Sequence, residues 1–436
     1  MLDRIKRKLV TFITGYYLLI LLRHKLTNKK KIKKIQNRKI KRLMKHAYNI
    51  PFYKEKFDKA GMKPEDFCCA EDLAQFPKLT KDELRQWVQD MVNKNPKKYK
   101  DWYKVTTSGS SGTPLETYVS PRENAILAAN WIRILMNNGY NPLNHKVLAL
   151  KKPELIKERK GKDSFVQKFG IARRKCIPHT IDGYEILNEV NTYKPDLLHI
   201  HRSKCIQMLM YAEKNNIEVY TPKLVVIIGE GIDKNSKPLI MKYFGKVLFS
   251  SYGTMETGAC TFTRKGDIEK HIITLDTHVI NIITDETESK DTGKMLITNL
   301  FLYGFPIINY DIGDRASIKI DDNIPYLFNI KGRINDMLKF RNGYTVDYHA
   351  FYIIMERMIE VLQFRIVQED YEHIKILLVM NKKLNKLSEA DIENKILSQI
   401  TNLIPVEGII YKFEWCDELK PDPNGKRRFI ISKVKE

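Results

Sequence analysis

The chain has 436 residues, 43% of them hydrophobic, and a formal net charge of +23. That length and apolar share fit two or three globular domains with sizeable cores. Its six cysteines, Cys68, Cys69, Cys176, Cys205, Cys260 and Cys416, form no CxxC pair and no zinc-ribbon spacing; no disulfide framework shows, and a reducing cytosol is the default expectation.

The excess charge sits at the start. Residues 1–45 hold sixteen Lys or Arg and one acid, Asp3. A nucleic-acid binder would instead carry basic patches with stacking aromatics on its folded body. No specific nucleic-acid partner is therefore expected, and an anionic membrane surface suits a basic amino-terminal arm better. Within that arm, residues 9–22 (LVTFITGYYLLILL) are apolar, with Arg4, Lys6, Arg7 and Lys8 before them and Arg23 and Lys25 after. The run is short of the roughly twenty residues that span a bilayer, and it lacks a small-residue cleavage site. A helix lying in the membrane interface, or one docked on the body, fits the length.

Residues 29–42 (KKKIKKIQNRKIKR) set Ile32, Ile35 and Ile40 among bases, a helix with one thin apolar seam. Pro51 interrupts the next pattern and opens a helix that runs to Gly61. Pro77 and Thr80 (PKLTKDEL) mark a further start, because Thr80 with Glu83 three residues on is a capping box. The mostly helical stretch to Tyr103 gives way to residues 105–114, VTTSGSSGTP. Such a bend offers converging N–H groups and hydroxyls to phosphate oxygens, although a Ser/Gly hairpin or solvated linker reads the same way.

Residues 121–139 form a long helical pattern. Apolar runs at 146–150, 196–200 (DLLHI), 223–228 (KLVVII) and 246–250 then alternate with helices such as 202–215, which predicts an α/β body. From 271 to 320 short alternating strands (HVINII, GKMLIT, PIINY, RASIKI) predict a β-rich subdomain. A boundary near Gly332 precedes a small α+β domain with a helix at 349–360, strands at 362–368 and 373–380, a helix at 389–403 and a basic tail. The expected organisation is an arm (1–45), a large domain (46–331) and a small carboxy-terminal domain (332–436).

Four further clusters carry chemistry. SYGTMETG (251–258) sets Glu256 after a strand and turn, where a carboxylate can hold Mg²⁺ bound to phosphate oxygens; a solvated loop acid reads the same way. YDIGD (310–314) offers Asp314 to the hydroxyls of a ribose, or simply ends a strand in a Gly-Asp turn. GRINDMLKFRNG (332–343) offers Arg333 to phosphate or ribose and Asn335-Asp336 as a pivot between domains, or is an ordinary hairpin. NGKRR (424–428) stands Lys426 on a Gly turn, where a mobile ammonium reaches an anionic reacting group, or is a solvated tail. Cys260 and His271 hint at a metal but are more usually structural.

In this order the motifs resemble those of the AMP-forming, adenylate-forming enzymes, and within them the phenylacetate–CoA ligase branch and its capsular-polysaccharide CapK-like relatives. The resemblance runs from Leu43 to the end and includes AYNIPFYKEKFDKAG, IIGEGI and GKRRFIISKV. It implies a large α/β domain with a β-rich subdomain and a small mobile α+β lid. By position it implies that Ser108, Gly109, Ser110, Ser111, Gly112 and Thr113 order the β- and γ-phosphates. Gly229 and Glu230 then lie beside the adenine, and Tyr252 and Gly253 wall the adenine and acyl pocket. Glu256 becomes the Mg²⁺ carboxylate, Asp314 the ribose aspartate, Arg333 the junction arginine, Asn335 and Asp336 the hinge, and Lys426 the lysine bridging carboxylate and α-phosphate. The sequence departs from the family at Leu115-Glu116, where relatives carry Lys, at Met255 and Ile312, where Ser or Thr is usual, and at Asn335.

What the resemblance implies is ATP- and Mg²⁺-dependent activation of a small carboxylic acid as an acyl-adenylate, then transfer to coenzyme A or another acceptor, in the cytoplasm or on the inner face of the cell membrane. The competing reading is a catalytically degraded relative, a membrane-surface scaffold or nucleotide-binding regulator of a polysaccharide pathway. The acyl pocket is expected to draw on residues 131–135, 199–205 and 228–252, where His199 and His201 share one strand face.

Overall fold

The structure, a computed structural model, describes residues 2–436 apart from 25, 27, 107–114, 152, 154–155, 158–166, 168, 180, 230, 233–236, 285–291, 322–323, 332–336, 343–344, 348–350, 352–353, 356–357, 382–386, 404–405, 420–428 and 435–436. The chain divides into two compact units, the first built from residues 1–107 and 116–331 and the second chiefly from residues 332–436.

The first unit opens with α1 (Leu2–Arg23) and α2 (Lys29–Tyr48). The seam expected on α2 faces inward, with Ile32, Ile35, Ile40, Leu43 and Met44 buried. Pro51 starts α3 (Pro51–Ala60), which Gly61 ends in the left-handed region at φ 64°, where a glycine carries no Cβ penalty. The capping box opens α4 (Lys81–Lys94): Thr80 N–H donates to Glu83 Oε2 at 2.7 Å and Glu83 N–H to Thr80 Oγ1 at 3.3 Å. A short α5 (Pro96–Tyr99) leads to a hairpin, β1 (Tyr103–Thr106) and β2 (Glu116–Val119), and then to α6 (Pro121–Asn137). Ser120 and Glu123 make a second capping box there. Helix α1 packs along α6.

The apolar runs become the centre of an 11-stranded sheet. Its strands β3 (Val147–Lys151), β4 (Arg174–Pro178), β5 (Leu197–Ile200), β6 (Leu224–Ile228) and β7 (Leu248–Thr254) pair in parallel. Continuous rather than alternating hydrophobicity in β6, and burial of every residue of β5 including His199, reflect cover on both faces. One face meets α7 (Gly183–Tyr193), α8 (Arg202–Lys214) and α9 (Lys237–Phe244) through Ile186, Met208, Leu209, Ile240 and Phe244. The other meets α6 through Ile134 and Leu135. Antiparallel strands extend the sheet: β8 (Gly258–Phe262), β9 (His271–Ile273), β10 (His278–Ile283), β11 (Gly293–Asn299), β12 (Tyr310–Asp321) and β13 (Ile324–Lys331). The expected strand PIINY is a loop up to Asn309. Its polar groups are taken by the amino-terminal helices instead, with Tyr53 Oη donating to Pro306 O at 2.6 Å and Asn309 Nδ2 to Phe76 O at 2.9 Å.

The second unit holds β14 (Met337–Lys339), β15 (Thr345–Asp347), β16 (Val361–Gln368), β17 (His373–Met380), α10 (Glu389–Leu403), β18 (Ile410–Trp415) and β19 (Ile430–Ser432). Alternate residues Ile374, Ile376 and Leu378 of β17 meet Ile392, Ile396 and Ile400 of α10, four apart. Period two and period 3.6 thus bury one core. Gln368, fully buried, ties three strands: it donates to Lys339 O at 2.6 Å and accepts from Lys339 N–H at 3.0 Å and Ser432 Oγ at 2.8 Å. Of the expected helix at 349–360, several residues lie outside the described ones, and residues 358–360 are not helical.

Candidate functional site at the carboxyl end of the parallel strands

Among the residues singled out from sequence, Gly229, Tyr252, Gly253, Glu256 and Asp314 are described. Ser108, Gly109, Ser110, Ser111, Gly112, Thr113, Glu230, Arg333, Asn335, Asp336 and Lys426 lie outside the described residues.

Ile228 pairs with Ser251, so Gly229 leaves β6 beside Tyr252 of β7. Gly229 has φ 73°, and a Cβ there would stand 3.0 Å from His201 Nδ1. The β7–β8 pairing shifts register between Tyr252 and Gly253, an irregularity of the kind that re-aims side chains at strand ends. Gly253 is required by closeness: a Cβ would lie 2.1 Å from Gly258 O.

The turn that follows is held from within and from behind. The Thr254 and Thr257 hydroxyls meet at 2.9 Å. Thr257 O accepts from Asn299 Nδ2 at 2.9 Å and from His278 Nε2 at 3.0 Å. A carbonyl oxygen only accepts, so the neutral His278 ring carries its proton on Nε2, and its Nδ1 lies 2.9 and 3.0 Å from the Thr274 and Thr277 hydroxyls. Burial pushes the His278 pKa down to about 4.

Two tyrosines connect this turn to the start of β12. Tyr252 Oη donates to Asp314 Oδ2 at 2.5 Å, and Tyr310 Oη donates to Glu256 Oε1 at 3.0 Å. Glu256 is 2% exposed, whereas its neighbour Met255 is 61% exposed. The loop ahead of β12 is clamped by Glu123, whose Oε1 accepts Tyr303 N–H at 2.6 Å and Gly304 N–H at 2.8 Å. Glu256 is one carboxylate, and no group of three or more His, Cys, Asp or Glu that could hold a metal occurs among the described residues. A Mg²⁺ ion fits such a place when phosphate oxygens and water complete its shell.

His199, the third residue of β5, is buried, its ring 5.3 Å from that of Trp131. Burial first, then the charges of Lys151 and Arg174, hold its pKa well below the usual imidazole range. His201 Nδ1 lies 3.1 Å from Ile228 O. Cys260 and His271 have separate partners, Thr257 for the thiol and Thr261 for the ring.

Sequence reasoning missed a buried node behind α6. Arg133 donates to Asp276 Oδ1 at 2.9 Å and Oδ2 at 2.7 Å, and His24 Nδ1 meets Oδ2 at 3.0 Å. Burial would raise the Asp276 pKa, but Arg133, His24 and Lys39 outweigh it and hold the carboxyl well below the usual range. No local motif announces partners separated by 143 and 252 residues.

The family profile for the CapK C-terminal domain matches residues 338–433. Protein CapK of Staphylococcus aureus is 22% identical over 430 residues, covering 89% of this chain and 86% of that protein. The chain is a homologue of CapK and the phenylacetate–coenzyme A ligases. Of the latter, the phenylacetate–coenzyme A ligase of Pseudomonas putida is 24% identical over 322 residues, with 68% and 70% coverage. In fold, this CapK homologue matches 2-hydroxyisobutyryl-CoA ligase, solved in the postadenylation state in complex with R3-HIB-AMP. The TM-score is 0.67 at 17% identity, covering 93% of this chain and 89% of that one. The α/β body with a carboxy-terminal α+β unit is therefore the adenylate-forming CoA ligase fold.

Proposed function

We propose that the chain activates a small carboxylic acid with ATP through an acyl-adenylate and then passes the acyl group to coenzyme A. The observation that carries this reading is the double pairing of the β7 end with the start of β12, Tyr252 with Asp314 and Tyr310 with Glu256. It gathers on one edge of the first unit two motifs that lie far apart in sequence.

In the reaction an oxygen of the substrate carboxylate attacks the α-phosphorus of ATP. The α-phosphorus bond to the bridging oxygen breaks, and pyrophosphate leaves with that oxygen. Two anions must meet, so the protein's work is alignment and charge neutralisation. On this reading the N–H and hydroxyl groups of residues 108–113 hold the departing phosphates, and Lys426 neutralises the attacking carboxylate and α-phosphate. Asp314 accepts from the ribose hydroxyls, Gly229 and Glu230 flank the adenine, and Tyr252 and Gly253 wall the pocket. Arg333 serves the domain junction. Glu256 would hold Mg²⁺, which supplies charge neutralisation at the phosphates when bound. The neutral phenol of Tyr310 against Glu256 supports that role, because it leaves the carboxylate its charge. Asn335 and Asp336 form the hinge on which the small unit changes over between half-reactions.

The homology to CapK supports a place in cell-envelope polysaccharide synthesis, and the charge of residues 1–45 supports a seat on the anionic inner face of the cell membrane. The test is pyrophosphate release with Mg-ATP across aryl, amino and sugar acids, in the parent and in Lys426→Ala. One acid should support release, with Lys426→Ala slower by about 10²–10³-fold, and coenzyme A should then yield its thioester. ATP binding without release for any acid would sink the reading.

A further inference from the structure

Helix α1 has two unlike faces. Its inner side is docked on α6, where Leu21 is 2% exposed, Leu21 O accepts from Arg133, and Arg122 Nε donates to Tyr17 Oη at 2.6 Å. On its outer side Leu9, Phe12, Tyr16 and Leu19 are 57%, 75%, 57% and 61% exposed. Their spacing of three, four and three residues makes one continuous stripe along a helix. Four large apolar side chains in one row is more than the scattered exposure usual on a soluble surface.

The next helix carries the complementary feature. With its apolar seam buried, α2 exposes Lys30, Lys34, Arg38, Lys41, Arg42 and Lys45. Its sequence contains no acid at all. Both helices anchor on the same buried residue, Asp276: His24, just after α1, meets its carboxylate at 3.0 Å, and Lys39 of α2 donates to its backbone O at 2.6 Å. Docking of the stripe on a second copy would bring two such basic segments together, which like-charge repulsion opposes. An anionic lipid surface offers an apolar phase for the stripe and counter-charge for the cations. No described helix is long and apolar enough to cross a membrane, so the stripe would lie in the interface plane.

We propose that α1 beds Leu9, Phe12, Tyr16 and Leu19 into the headgroup–acyl boundary of an anionic bilayer while the α2 cations bind its headgroups. This rests on the membrane seat proposed above and is independent of the acyl-transfer chemistry. Because α2 is built into the core, the test uses the full chain with point variants rather than a deletion. Sedimentation is measured with vesicles of phosphatidylcholine alone and of phosphatidylcholine with phosphatidylglycerol.

The parent should pellet with the anionic vesicles and not with the neutral ones. The triple variant Leu9→Ser, Phe12→Ser, Leu19→Ser, shown by circular dichroism and melting to be folded, should bind about tenfold or more weaker per side chain withdrawn. Lys30→Gln with Lys34→Gln and Lys41→Gln should lose on the order of a hundredfold. A parent that ignores anionic vesicles overturns the proposal, and so does a folded triple-serine variant that binds as tightly as the parent. A parent dimer that the serine variant converts to monomer, with no vesicle binding by either, assigns the stripe to a second copy and also overturns it. Pyrophosphate release on the same samples separates the two readings: release without vesicle binding removes only this proposal, and binding without release removes only the acyl-transfer reading.

Discussion

Glu256 and Asp276 are both buried carboxylates, at 2% and 0% exposure, and their surroundings are opposite. Asp276 is gripped by both terminal nitrogens of Arg133 and approached by His24 and Lys39. Glu256 is met by a phenol, that of Tyr310. A carboxylate neutralised by a two-pronged guanidinium has no charge left to offer a ligand. One supported by a neutral hydroxyl keeps its charge and is positioned to share it. The difference separates a structural tie from the group to which the proposed function assigns a cation, although both carry the same functional group at similar depth.

The largest effect should come from breaking the tie. Arg133→Leu strands Asp276 as a buried charge short of its main partner, which costs about 3–5 kcal/mol when one member of such a pair is removed. Urea unfolding followed by circular dichroism reads this directly. The double variant Arg133→Leu, Asp276→Leu should recover part of the loss, because the stranded carboxylate is gone while Lys39 and His24 lose its charge. A single-variant loss below about 1 kcal/mol, the range of exposed ion pairs, would mean that the node does not hold the fold.

That contrast also explains what could be read from sequence. Glu256 and Asp314 could be singled out because each sits in a short stretch with a marked local geometry: SYGTMETG needs Gly253 where no Cβ fits, and YDIGD starts a strand. The parallel core was legible for the same reason, since β6 is an unbroken apolar run and β5 is apolar apart from His199. The Arg133–Asp276 tie was not legible, because Arg133 reads as one more residue on a helix and its partner lies 143 positions away. PIINY was misread as a strand because Ile307, Ile308 and Tyr310 are strand-forming types, yet Asn309 turns left-handed at φ 48° and its amide is spent on the amino-terminal segment, on Leu73 O and Phe76 O. Helix α1 was legible as a short apolar helix, but only its packing on α6 reveals which four side chains remain outside.

Glu256→Gln should do the reverse of the Arg133 change. Removing the charge while keeping the shape should leave unfolding in urea within about 1 kcal/mol of the parent, since no buried cation is orphaned. Pyrophosphate release should fall by about 10²–10³-fold, the scale for losing one electrostatic contact to a developing transition state. Tyr310→Phe should cost less, about tenfold, because it removes one hydrogen bond to a charged group and not the charge. If Glu256→Gln lowered stability as much as Arg133→Leu and spared catalysis, the distinction between the two carboxylates would collapse.

The smallest effect tests the bridge between them. His278 donates to Thr257 O, next to Glu256, and stands two residues from Asp276. Burial lowers its pKa from 6.5 to about 4, and that of His271 likewise to about 4. In the unfolded chain both would take up protons near 6.5, so between that pH and about 4 the unfolded state binds more protons. Stability is therefore complete above the unfolded value and falls as pH drops through the window, by up to about 1.4 kcal/mol per pH unit for each histidine. Melting between pH 7 and 5 should show that slope, and His278→Gln, which has nothing to titrate there, should flatten it by one proton's share. A slope unchanged by His278→Gln would mean that the ring is not what carries acid sensitivity into the turn that holds Glu256.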